Sequence, residues 1–292
     1  KINDDGSYTL LVDVKPEKPY SVKFGGLFSS RPINTGYIGL EYFRLGKFGL
    51  KLSAESYFGK FYGSVGGAID LDANFKIPIS TKLYGYTSRW DYFKSFATFF
   101  EDIKPSYIVE NEKFVGADIS LPIGNVGKIT GSYNIGEYSM DYYQTEYFSP
   151  SDTADVTNLN LQSFELRYLQ SSLNRKMYAT EGGKFSIRSK YFYGYENSVP
   201  GSTSSFSDPL ENVFKHWYFV ELELEKYFKV GKKISIGSEL KAVVLRPNLL
   251  LDNYTATAIA SPVYQPIPES QTIFITDHIS HDYVAGGLKL IY

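Results

Sequence analysis

The segment HWYFVELELEKYF, His216–Phe228, repeats with a period of two. Tyr218, Val220, Leu222 and Leu224 fall on one side of an extended chain, and Glu221, Glu223 and Glu225 on the other. A soluble sandwich turns the apolar side inward; a membrane barrel turns it outward. The same alternation recurs along the chain. In Thr35–Leu45, Ile38, Leu40 and Tyr42 oppose Gly39 and Glu41. In Phe48–Phe58, Leu50, Leu52 and Ala54 oppose Lys51, Ser53 and Glu55. In Gly63–Asn74, Ile69, Leu71 and Ala73 oppose Asp70, Asp72 and Asn74. Further extended segments are predicted at Tyr20–Phe28, Lys82–Tyr92, Ser106–Leu121, Lys128–Tyr143, Ser163–Leu169, Lys184–Glu196, Phe214–Lys229, Lys233–Leu245 and Asp282–Tyr292. No stretch carries a helical period, so the expectation is an all-β chain of about twelve strands.

The connections sort by parity. Those after even-numbered strands are mostly tight and glycine-rich: GK at Gly46, GNVGK at Gly124, GKK at Gly231. Those after odd-numbered strands tend to be long and polar, beginning at Lys94, Thr145 and Asn197, with the longest running from Arg246 to His281. Short turns at one rim and long loops at the other are the asymmetry of outer-membrane barrels. Several strands also exceed about ten residues, the length a tilted strand needs to cross the hydrocarbon layer.

Charge placement agrees. Glu41, Glu55, Asp70, Asp72, Arg167, Arg188, Lys190, Glu239 and Lys241 all land opposite the apolar side. A closed, wet lumen accepts mixed charges while lipid covers the Tyr/Leu/Val/Ile face. Closure also leaves no unpaired backbone edge in hydrocarbon. The 292 residues include 26 Tyr and 21 Phe, rings suited to an interface that is apolar on one side and wet on the other. Mean hydropathy is −0.23, as expected when half of each strand faces a polar lumen. A formal net charge of −2 gives no bulk attraction to nucleic acid, and the absence of cysteine excludes disulfides and thiol chemistry. The reading is therefore a transmembrane antiparallel β-barrel in the bacterial outer membrane, with phospholipid and lipopolysaccharide as its surroundings; other outer-membrane or periplasmic proteins are expected as partners. An extracellular soluble sandwich is the competing class.

Two stretches go further. SSLNRKMYATEGGKFSIRSKYFYGYE, Ser171–Glu196, resembles a turn-and-strand signature of the POTRA-linked outer-membrane barrel superfamily, the bacterial surface antigen family with its BamA- and TamA-type insertases. Arg175, Tyr178, Ala179, Thr180 and Gly182 occupy the matching places. Thr180 and Gly182 suit a tight turn, and Phe185, Ile187 and Tyr191 suit a lipid-facing side. The opening DDGSYTLLVDVKPEKPYSVKFGGLFSS resembles the last strand of a POTRA domain, with Tyr8, Leu10 and Val12 alternating, running into the first barrel strand. The combination is most similar to the C-terminal barrel of bacterial patatin-like phospholipases. The resemblance implies residues 1–18 as the end of a POTRA-like module and 19–292 as the barrel. It also implies a barrel of about sixteen strands, incomplete here at its C-terminal side; a smaller barrel closing at the aromatic Tyr292 is the alternative expectation. The implied role is to anchor, and to export or display, an N-terminal patatin-like domain. The alternatives are protein insertion or translocation, or a pore or transporter. Insertases of the superfamily carry an Arg-Gly-aromatic motif in a long loop, and Arg246–His281 contains none, which favours the patatin-linked branch.

Candidate chemistry is sparse. No Gly-x-Ser-x-Gly elbow occurs, so no hydrolase activity is expected of these residues. His278 and His281 lie near Asp277 and Asp282, but a spacing of three puts them on opposite sides of a strand, and His216 stands alone. Asp70/Asp72 and Glu221/Glu223 match a glycosidase pair only by spacing and read as lumen lining. SVGGAID and VAGGLKL lack the following helix of a phosphate cradle. Trp90, Tyr92 and Phe93 are expected in an aromatic girdle and surface loop. No catalytic, cofactor-binding or metal residue is expected, and no cofactor.

Overall fold

A computed structural model describes residues 18–27, 35–60, 62–91, 107–145, 148–149, 151–176, 178–231, 234–247 and 280–291. They form one twelve-stranded antiparallel sheet in which each strand pairs with its sequence neighbours. The strands are β1 (Tyr20–Leu27), β2 (Thr35–Arg44), β3 (Phe48–Gly59), β4 (Tyr62–Ala73), β5 (Ile79–Asp91), β6 (Tyr107–Ile123), β7 (Gly127–Tyr142), β8 (Asp155–Ser171), β9 (Gly182–Val199), β10 (Leu210–Lys229), β11 (Ser235–Pro247) and β12 (Asp282–Ile291). The proposed POTRA strand and most of the Arg246–His281 loop lie outside the described residues.

The twelve strands are those the alternation predicts, and the register makes the two sides of the sheet consistent from strand to strand. Lys51 of β3 stands opposite Asp70 of β4, Lys82 of β5 opposite Asp118 of β6, and Glu223 of β10 opposite Lys241 of β11. The charged side is concave. Tyr84 Oη of β5 reaches across β6 to donate to Asn134 Oδ1 of β7 at 2.5 Å, and inner residues of β5 and β9 line one cavity. Gly116 permits that reach: a Cβ there would sit 2.6 Å from Tyr84 Cζ. The convex side is apolar and uncovered. Tyr218 is 49 % exposed while its neighbour on the other side, Glu221, is 5 % exposed. Leu288 of β12 reaches 84 %. A sandwich would bury this side against a second sheet, and all twelve strands belong to one. The fold is that of an antiparallel transmembrane-type β-barrel wall.

Two features depart from the sequence reading. β8 and β9 are longer than predicted. Asp155–Gln162, read as loop because of its Asn and Asp content, continues β8, where Thr157, Leu159 and Leu161 are buried on the inner side. Loop parity holds in part: the connection after β3 is only residues 60–61, and that after β8, residues 172–181, is as long as that after β9, residues 200–209.

Candidate functional site

The concave side divides into three zones. Toward the short-turn rim of β8–β12 it carries an ion-paired lattice. Lys184 Nζ lies 2.9 Å from Glu223 and 3.1 Å from Glu225. Lys241 Nζ lies 3.0 Å from Glu221 and 3.3 Å from Glu223, and Arg188 Nε lies 3.1 Å from Glu221. Lys289 pairs with Glu239. Successive inner positions of adjacent strands sit side by side, so the signs across β9, β10 and β11 place Glu221 and Glu223 each between two cations, while Glu225 pairs with Lys184 and Glu239 with Lys289. Glu221 and Glu223 are thus committed to cations on both sides, which is the arrangement of a structural lattice and not of an acid–base pair.

Toward the long-loop rim the same side becomes dry. Tyr138 and Met140 of β7, Leu159 and Leu161 of β8, Phe192 of β9, Trp217 and Phe219 of β10, and Val243 and Leu245 of β11 form one buried cluster, with Trp217 at 0 % exposure. Phe192 and Trp217 stack with centroids 4.9 Å apart. Arg188 lies over Phe219 at 4.8 Å and Lys190 over Phe192 at 4.5 Å, joining this cluster to the lattice below. The expectation of acids and bases throughout a wet interior is corrected here: in this zone most inner positions are aromatic or aliphatic and their burial is hydrophobic, while Glu196, opposite Leu159, is buried 3.5 Å from Lys215.

The third zone, across β2–β9, holds inner-facing tyrosines beside polar groups. Tyr86 donates to Glu112 at 2.9 Å and Tyr37 to Glu55 at 3.4 Å. Lys23 and Lys51 flank Glu41 at 2.7 and 3.2 Å. Trp90, expected in the outer girdle, is an inner residue: it stands opposite Tyr62, with ring centroids 5.3 Å apart. Its parity with Lys82 and Ser88 is the signal that could have placed it, and the same parity places Tyr84 and Tyr86.

On the convex side a band of rings crosses β7–β10. Tyr133 and Phe164 lie 4.6 Å apart, Tyr191 and Tyr193 6.0 Å, Tyr195 and Phe214 5.6 Å. Tyr133 and Tyr193 both donate to Gln162 Oε1, the latter at 2.7 Å, so the amide oxygen within the band is satisfied. His216 belongs to this band, 6.2 Å from Tyr191 and 5.7 Å from Phe214. A second ring pair, Tyr168 with Phe185, lies near the short-turn rim. From Phe185 to Tyr193, at about 3.3 Å per residue and a tilt of about 40°, is roughly 20 Å, near the height of a barrel's apolar band. Ile187, Leu166 and Leu240 lie between.

Of the other positions singled out, Asp70 stands between Lys51 and Lys82 in register. Asp282 pairs with Arg246 at 2.5 Å. Asp277 and His278 lie outside the described residues, and among the described residues no group of three or more His, Cys, Asp or Glu is placed to hold a metal. The signature turn at 172–181 has built geometry. Asn174 Oδ1 accepts from the Thr180 N–H at 3.1 Å and the Glu181 N–H at 3.3 Å, and Asn174 Nδ2 donates to Thr180 Oγ1 at 2.8 Å. Gly182 has φ +102°, and Ile187 and Tyr191 face outward as the signature implies.

No protein-family model matches the chain, and no curated protein matches it. Among solved structures it is similar to the ferric citrate transporter FecA in the unliganded form, at 12 % identity and a TM-score of 0.37. That alignment covers 78 % of this chain and 38 % of the other, so the chain spans well under half of that protein's length. The likeness is too slight to carry a functional argument. The resemblance to the POTRA-linked superfamily rests on its motif residues alone.

Proposed function

We propose that this chain is the wall of a bacterial outer-membrane β-barrel, with its short turns in the periplasm and its long connections outside. Its role is to anchor, and to export or display, a domain on its N-terminal side, in the manner of the patatin-linked branch. The observation that carries the membrane reading is the division between the sides: ion pairs on the concave side, uncovered Leu, Ile, Val and Tyr on the convex side, bounded by rings. The buried inner cluster around Trp217 supports an anchor over an open pore, because a dry zone on the inner wall opposes a continuous water column. The Arg175–Gly182 turn signature supports the superfamily, and the lack of an Arg-Gly-aromatic triplet in Arg246–His281 supports its patatin-linked branch. The chain itself performs no catalysis in this reading, and membrane lipid is its principal partner.

The ion-paired lattice favours one second reading, a translocating or conducting barrel, since a polar inner wall is what a pore requires. Two measurements decide. Leu222→Arg places a charge in the middle of the convex side of β10. It is expected to lower folding free energy in phosphatidylcholine vesicles by about 2–4 kcal/mol. A change near zero would remove the membrane reading. Planar-bilayer recording of the full chain is expected to show little steady conductance; a large, stable one would favour the pore.

A further inference from the structure

The tyrosines of the concave side are not all buried. Tyr57 is 39 % and Tyr86 41 % exposed, although both face inward. They belong to rows of rings running around the wall: Tyr37 to Tyr57 at 4.7 Å, Tyr57 to Tyr62 at 6.3 Å, Tyr62 to Trp90 at 5.3 Å, and Tyr86 to Phe114 at 5.6 Å. Two concavities, of about 400 and 420 Å³, share Tyr84 and Tyr86 and so form one trough from β3 to β9. Six strand spacings of about 4.8 Å give it a length on the order of 25–30 Å.

The polar lining of this trough differs from the lattice beside it. Lys51, Lys82 and Lys190 are interspersed with Glu41, Glu55, Glu112, Asp118 and Glu165, and Lys51 pairs with Glu41 at 3.2 Å. Few of them pair closely. Glu112 is held by the hydroxyls of Tyr86 and Ser88, and Lys190 stands 3.9 Å from Glu165. Lys82 lies over the Tyr84 ring at 5.6 Å, although Asp118 is opposite it in register. Asp118 Oδ1 is buried and accepts no hydrogen bond from the protein. Such an acceptor is costly unless a donor arrives.

We propose that this trough binds a neutral, extended oligosaccharide. Exposed ring faces in a row match the C–H faces of successive sugar rings. Interspersed donors and acceptors match hydroxyls, which do both. The lysines disfavour a cationic ligand, and the carboxylates disfavour an anionic one. A pocket of apolar rings with a few placed polar groups is the general form of a small-molecule site. The inference rests on the concave side being the wet one, and not on the anchoring role.

The test is calorimetric titration of the full chain in detergent with maltohexaose, cellohexaose and chitohexaose, with spermidine as the cationic comparator. Saturable binding of at least one hexasaccharide is expected. Tyr57→Ala combined with Tyr86→Ala should weaken it about tenfold or more, and Asp118→Asn should weaken it as well. Tyr218→Ala, on the convex side, should leave it unchanged. Both trough rings are partly exposed, so their removal opens no core cavity, and near-ultraviolet circular dichroism checks that each variant is folded. The proposal is overturned if no hexasaccharide binds, if spermidine binds and no saccharide does, or if folded Y57A/Y86A binds as the parent does. Saccharide binding that persists while Leu222→Arg proves harmless would remove the membrane reading and leave the trough standing.

Discussion

At the residue scale, two positions show what local geometry demands. Gly182 ends the turn before β9 with φ +102°, and a Cβ there would meet the backbone of Ser172, 2.7 Å from its carbonyl carbon. Gly182→Ala therefore adds both backbone strain and a clash with main chain, which cannot swing aside as a side chain would. A loss of about 1–3 kcal/mol is expected in urea-dependent folding, with the β8–β9 register the first casualty. Asp152, in the connection between β7 and β8, accepts from the Ser149 N–H at 2.7 Å and the Ser202 hydroxyl at 3.0 Å. The Ser149 backbone bond above all, then the Ser202 hydroxyl, holds its carboxyl below the ordinary aspartate range. Its folded pKa lies under its unfolded one. The bonds it makes are thus fully present above the unfolded value and are lost as pH falls through the folded value. The protection of the Ser149 amide against hydrogen exchange, relative to its intrinsic rate at each pH, should hold at neutral pH and fall only in acid below the usual aspartate midpoint. In Asp152→Asn that protection should not change with pH over the same range.

At the element scale, the two ends of the sheet use the same residue types to different effect. Glu41 of β2 is flanked by Lys23 and Lys51 in pairs open to solvent, where water and salt screen most of the attraction. Glu221 of β10 is nearly enclosed between Arg188 and Lys241. Lys241→Ala strips one of its partners, and Glu223 loses one as well. The expected cost approaches the roughly 3–5 kcal/mol of breaking a buried pair, against a far smaller loss for the solvent-screened Lys23→Ala. Equal losses for the two variants, measured by denaturant titration, would mean the lattice is solvated. These elements also show how far the sequence could be read. Glu221, Glu223 and Glu225 stand between apolar neighbours, so parity alone assigns their side, and the twelve strands follow. The start of β8 was not legible, because Asp155, Asn158 and Asn160 are poor strand formers. Their strand is imposed by pairing with β7 and β9. The trough was hidden for a related reason. Tyrosine suits both sides of such a wall, so Tyr84 and Tyr86 give no orientation of their own. Only their parity with Lys82 and Ser88 does.

At the scale of the whole molecule, the arrangement along the barrel axis sets what the wall can do. Charges near the short turns, and a largely dry cluster together with the Tyr37–Tyr57–Tyr62–Trp90 ring row near the opposite rim, make the inner side asymmetric from end to end. In the anchor reading proposed above, the cluster is the part that closes the lumen. Water enters a narrow apolar zone only against the cost of leaving bulk hydrogen bonds, so the zone resists ions even where it is sterically open. Replacing Trp217 and Phe219 together with Ser removes two of its largest inner rings and supplies hydroxyls in their place. The lattice below it keeps its ion pairs, Arg188 with Glu221 among them, although Arg188 loses the Phe219 ring it lies over. The double variant is therefore expected to remain folded in vesicles, at a cost of several kcal/mol for the lost burial. It should also show discrete conductance steps in planar bilayers where the parent shows almost none. Phe164→Ser, on the convex side of β8, makes a comparable change in ring volume outside the lumen and should stay silent. If the parent already conducts as strongly as the double variant, the cluster is lining and not closure, and the barrel is an open pore.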